Sequence, residues 1–143
     1  METVGQLLRL LAAASALGIA SVHVAILNQH LEEKTYVGAL FLAAILALQL
    51  VALELAQSRR DPLLDTAAWT GGTAVVASMF ALFVVSRTAG LPGYHEPWDK
   101  IGIASLALEG LFLTTAVSSA LLGRRRLSSQ SLRVLAVHRD AAA

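Results

Sequence analysis

The chain has 143 residues, 56% of them hydrophobic and 15% charged, with a mean hydropathy of +0.65. That balance is too apolar for a water-soluble domain of this size to keep its surface wet. A formal net charge of +1 offers no long-range field to nucleic acid, and the lack of cysteine removes disulfides, thiolate metal sites and thiol redox chemistry.

Apolar stretches near the roughly 20 residues that cross a hydrocarbon core as helix predict spans over 4–27, 36–56, 66–86 and 101–122. The expected architecture is all-α: an integral membrane four-helix bundle over 1–126, followed by a basic tail over 127–143. The first span carries Arg9 as its only early cation, and its apolar run exceeds the about 7–15 residues of a signal-peptide core. It therefore reads as a spanning helix. Ala12, Ala16, Ala20 and His23 form one stripe along it, of the small-residue kind that lets helices approach in lipid.

The loop 28–35 holds His30 and Glu33, and Tyr36 opens the second span at the boundary where amphipathic rings settle. That span offers Ala43 and Ala47 for packing, Gln49 as an interhelical donor and Glu54 near its end, within reach of Arg59. Gln57 to Pro62 is a short turn, since Pro62 cannot extend the helix before it; spans two and three are then antiparallel neighbours. The third span offers Ala74, Ser78 and Ala81 and ends on Arg87. In the run Ser86-Arg87-Thr88-Ala89-Gly90-Leu91-Pro92-Gly93, both glycines allow positive φ and Pro92 stops regular hydrogen bonding. The run is either a plain helix stop or an ordered loop that aims His95 and Glu96 over the bundle mouth. Trp98 anchors re-entry, and the fourth span carries Gly102, Ser105, Glu109 and Ala116 on one stripe. In the tail, Ser128 or Ser129 would cap an interfacial helix in which Leu132, Leu135 and Val137 alternate with Arg133 and Arg139; a disordered basic tail is the alternative.

Arg9, Arg59, Arg60 and the arginines after residue 123 lie at one set of span ends, whereas Lys34, Arg87 and Lys100 lie at the other. The positive-inside rule puts both termini in the cytoplasm of a cell's inner (plasma) membrane and the loops around His30 and His95 outside.

Two ionisable groups lie inside the spans. At 1.5 Å per residue, Glu109 is about 12 Å deep and His23 roughly 6–10 Å deep, so both reach a similar level on packing faces. An unpaired charge at such depth costs about 2.5–3.5 kcal/mol on insertion scales. His23, His30, Glu33, His95 and Glu109 are candidate ligands of a divalent transition metal such as Zn, Cu, Fe or Mn, although no spacing among them is a metal signature. Arg87, Glu96 and Glu109 are the candidate contacts of a bound solute. Against this stands a plainer reading, in which the loop groups are solvated and His23 and Glu109 share a structural hydrogen bond.

The Ser86–Gly93 run, Glu96-Pro97-Trp98, the segment from Ile103 to Glu109, His23 and the Gly38-Ala39-Leu40-Phe41-Leu42 opening together resemble small four-span membrane proteins of actinobacteria. The resemblance spans the chain to Leu122 and implies the topology and an outward polar site. Two functions follow: a module that binds or passes a metal ion or small polar solute, or an accessory subunit of a larger membrane complex. A four-span wall is thin for a monomeric pathway, so the first calls for a homo-oligomer, and the second for a larger membrane complex. Haem, di-metal carboxylate and hydrolase chemistry lack their residue patterns.

Overall fold

The computed structural model describes residues 2–57 and 61–140, with side chains described for 3–57 and 61–124. The chain forms α1 (Glu2–Glu33), α2 (Thr35–Ala56), α3 (Pro62–Thr88) and α4 (Lys100–Asp140). All four are long and apolar enough to cross a membrane, so the protein is a multi-pass, all-α membrane protein. Each helix packs on its chain neighbours and α4 closes the ring on α1. This is an up-and-down four-helix bundle.

Two helices run well past the C-terminal ends of their expected spans. α1 continues past Leu27 to Glu33, and Lys34 alone, with extended backbone, turns the chain into α2. His30 and Glu33 are therefore helical rather than loop residues. α4 continues without a break to Asp140, so no new helix starts at Ser128 or Ser129. The tail's side chains and Arg59 lie outside the described residues. The α2–α3 turn is as expected: Pro62 opens α3, and the Asp61 carboxylate accepts from the N–H groups of Leu63 (2.9 Å) and Leu64 (3.4 Å). At this hairpin end Arg9 pairs with Asp65 and donates to the carbonyl oxygens of Glu54 and Gln57, tying α1 to the turn.

The α1 stripe is buried as its spacing predicts, with Ala12, Ala16, Ala20 and His23 all in the core beside Ile19. On α3 the expected face is wrong: Ala74, Ser78 and Ala81 are exposed, and Ala68, Gly72 and Val76 are buried instead. Small residues occur all round α3, so composition could not choose its packing face. Gln49 is likewise exposed. The close approach sits at Gly72, where a Cβ would lie 2.8 Å from Val51 Cγ1 and 2.9 Å from Phe112 Cζ. Gly72→Ala should therefore lower stability in detergent by about 1–3 kcal/mol through overpacking. Gly71→Ala, with nothing within 4 Å of its added carbon, should show no loss in the same unfolding measurement.

Candidate functional site

At the end opposite the hairpin, residues 89–99 form an ordered strap. Gly90 (φ 80°) and Gly93 (φ 66°) take the positive φ that their sequence context anticipates. Leu91 and Tyr94 exchange backbone hydrogen bonds of 2.7 and 2.9 Å around Pro92-Gly93, and the Glu96 N–H returns to the Ser86 carbonyl at 3.1 Å. The Tyr36 hydroxyl donates to the Pro92 carbonyl at 3.1 Å, tying the strap to α2. Beyond the turn the backbone has no helical bonding, so alternate side chains face opposite ways. Tyr94 and Glu96 turn inward and His95 stays exposed. The strap thus brings Glu96 over the bundle, and His95, though exposed, lines the polar space at the helix ends beside it.

Arg87 organises this roof. Its side chain is 3% exposed; Nη1 lies 2.7 Å from Glu96 Oε2, Nη2 lies 3.1 Å from Asp99 Oδ2, and Nη1 also donates to Ser86 Oγ at 3.2 Å. The guanidinium carbon stacks 3.7 Å over the Phe83 ring, which meets Trp98 edge-on. Gly102 clears the space, since a Cβ there would sit 2.6 Å from Arg87 Nη2. Asp99 is also the N-cap of α4, accepting from the Gly102 N–H at 2.7 Å.

That bond first, and Arg87 second, hold the Asp99 carboxyl below the usual carboxylate range against the opposing effect of burial. A depressed folded value means that the stabilisation is fully present above the unfolded carboxylate pKa of about 3.9 and is lost as pH falls through the folded value. Acid titration of unfolding should show this limb, and Asp99→Asn should flatten it. The effect is small because the Asp99 side chain is 41% exposed.

His30 packs edge-on against Phe41, its Nδ1 lies 2.9 Å from the Tyr94 hydroxyl, and its Nε2 lies 3.6 Å from Glu96 Oε1. Burial, with the Glu96 and Glu33 charges nearby, pushes the Tyr94 phenol well above its ordinary range. It keeps its proton and shares a hydrogen bond with His30 Nδ1, whose direction follows the imidazole tautomer. His23 packs edge-on against the same Phe41 ring, and its Nδ1–H donates to the Ile19 carbonyl at 2.9 Å. In the neutral ring Nε2 is then left as an acceptor.

Below the roof lies a cavity of about 460 Å³ whose walls come mostly from apolar side chains of α2 and α3. Its polar wall is formed by His23, Ser105, Glu109 and Arg87. Glu109 is 1% exposed; Oε1 accepts from Ser105 Oγ at 3.0 Å, and Oε2 is buried with no partner. No hydrogen bond joins Glu109 to His23, so the expected buried pair does not form. The proposed metal set also fails to assemble. Among the described residues no three His, Asp or Glu side chains converge on a point that could hold a metal ion. The reasons are visible: His95 stands exposed at the vestibule, His23 is turned to its own helix, His30 is bonded to Tyr94, and Glu109 is bonded to Ser105. A metal would have to displace these existing bonds.

The strap and the helix ends also enclose a polar vestibule of about 790 Å³ on the other side of Arg87, Tyr94 and Glu96, which line both spaces. Tyr94, Asp99, Ser105 and Phe41 were not singled out as site residues from the sequence. Only Asp99 carried a usable signal, as a capping-type residue three positions before Gly102. Compared with known proteins, the chain matches no family model, and no curated protein or solved structure is significantly similar to it.

Proposed function

We propose that this membrane protein binds a small molecule in the loop-end half of its bundle, at a polar site that faces outward while both termini are cytoplasmic. The observation that carries the reading is Glu109: a fully buried carboxyl on the wall of a cavity, with one oxygen bonded to Ser105 and the other unpartnered. Buried acceptors are normally satisfied, and leaving one bare costs about 1–3 kcal/mol. Ionisable groups inside spans are costly and tend to be functional. The site suits a hydrogen-bonding solute better than a metal ion, for want of a converged ligand set.

The second reading, an accessory subunit of a larger complex, draws on α3. Gly71, Ala74, Ser78 and Ala81 stand exposed at helical spacing, the kind of surface on which a further helix packs.

A lipid-soluble carboxyl reagent separates the two. Dicyclohexylcarbodiimide, added to the protein in membranes, should leave an adduct on Glu109 that peptide mass spectrometry locates. Persistent absence of that adduct would mean that the cavity does not admit small molecules, and the accessory reading would lead.

A further inference from the structure

We infer that the cavity takes a single-chain amphiphile with an uncharged hydrogen-bonding head, such as a long-chain alcohol, which enters sideways from the lipid between the loop-end halves of α2 and α3. This rests on the binding reading above and names its ligand class.

The first support is where the cavity opens. Its lining includes Leu40 and Ala43 on α2 and Ala74, Ser78 and Leu82 on α3, all of which are exposed on the bundle surface. Toward the hairpin end the same two helices are shut, with Val51 against Gly72 and both buried. The seam is therefore a wedge, closed at one end and open to the hydrocarbon at the other. Small side chains at Ala43, Ala44, Ala47, Ala74 and Ser78 provide the width. The roof of Arg87, Glu96 and Tyr94 stands between this space and the vestibule, so the unobstructed approach is lateral.

The second support is charge. Both terminal nitrogens of Arg87 are engaged by carboxylates, Nη1 with Glu96 and Nη2 with Asp99. The cation is already compensated and holds no spare positive charge for an anionic head. Glu109 is an acid and offers no countercharge to a carboxylate or phosphate, whose own charge would stand unpaired there. A hydroxyl meets the site without that conflict, because it both donates and accepts. Two atoms of the lining residues are buried without a bond, Glu109 Oε2 and the Arg87 Nε–H donor, and a hydroxyl is able to serve either kind of group. The chain of such a molecule would lie along the apolar wall of Leu40, Met79 and Leu82.

The test uses the full chain in lipid vesicles with two photoprobes, a long-chain alcohol carrying a mid-chain diazirine and the matching fatty acid at neutral pH. The alcohol should label residues within 40–47 and 74–82. Labelling should fall about tenfold in Glu109→Leu, as expected for losing the head's hydrogen bond, and similarly in Ala47→Leu, which fills the wedge without touching the polar wall. The fatty acid should label these segments far less. Equal labelling by both probes that is indifferent to Glu109→Leu would overturn the inference, because the wedge would then be an ordinary crevice filled by lipid chains. If the alcohol fails to label while dicyclohexylcarbodiimide still modifies Glu109, the ligand class is wrong and the binding site stands. If neither reagent reaches the cavity, both readings fall together.

Discussion

Arg87→Ala is expected to lower stability by about 3–5 kcal/mol, the range for breaking a buried ion pair by removing one partner. Arg87 is 3% exposed at the side chain and Glu96 only 16%, so deletion strands the Glu96 carboxylate under the strap beside His30. The same change removes the cation stacked on Phe83 and one of the two bonds that order Asp99. Arg87→Lys should recover only part of the loss, since a single ammonium cannot reach two carboxylates as a planar fork does. Asp99→Asn should cost less than about 1 kcal/mol at neutral pH, because that half of the network is solvent-screened. Reversible unfolding in mixed micelles measures all three. A loss below about 1 kcal/mol for Arg87→Ala would mean that the roof is held by the strap's backbone bonds alone.

The bundle was legible because apolar length is a strong signal in a chain that must satisfy its backbone inside lipid. Helix ends were less so. α1 runs past Leu27 because residues 28–33 are polar but have no helix breaker; polarity marks water, not the end of hydrogen bonding. The packing face of α3 was illegible for the opposite reason, small residues on every side of the helix. Of the site, His23, Arg87, Glu96 and Glu109 were found by asking which polar groups a membrane would tolerate only with a partner, and these residues line one cavity. Which partner each takes was not legible. Glu109 bonds Ser105 one turn back on its own helix, and His23 bonds Ile19 one turn back on its own. That His95 stays exposed while Glu96 turns inward was not legible, because the alternation of an extended strap depends on where its turn closes, a register that Leu91 and Tyr94 set.

Glu109 carries the second large effect, and its sign is opposite. In a site built for stability, removing the carboxyl would cost the bundle a hydrogen bond. Here the Ser105 hydroxyl sits on the same helix, where it can turn back to its own backbone, while Glu109 Oε2 has no bond to lose. Glu109→Leu keeps similar bulk, removes a bare buried acceptor and fills apolar space. It should stabilise the protein by about 1–3 kcal/mol, the pattern of a residue kept for function at the expense of the fold. Glu109→Gln should fall between the two, because an amide also has groups to satisfy.

The unfolding midpoint of Glu109→Leu, measured beside the wild type in the same detergent, is therefore the most direct test that this carboxyl serves a ligand. A higher midpoint, together with loss of alcohol labelling in the wedge, is expected. A midpoint clearly below that of the wild type would show that Glu109 holds the helices together, and would contradict that it serves a ligand.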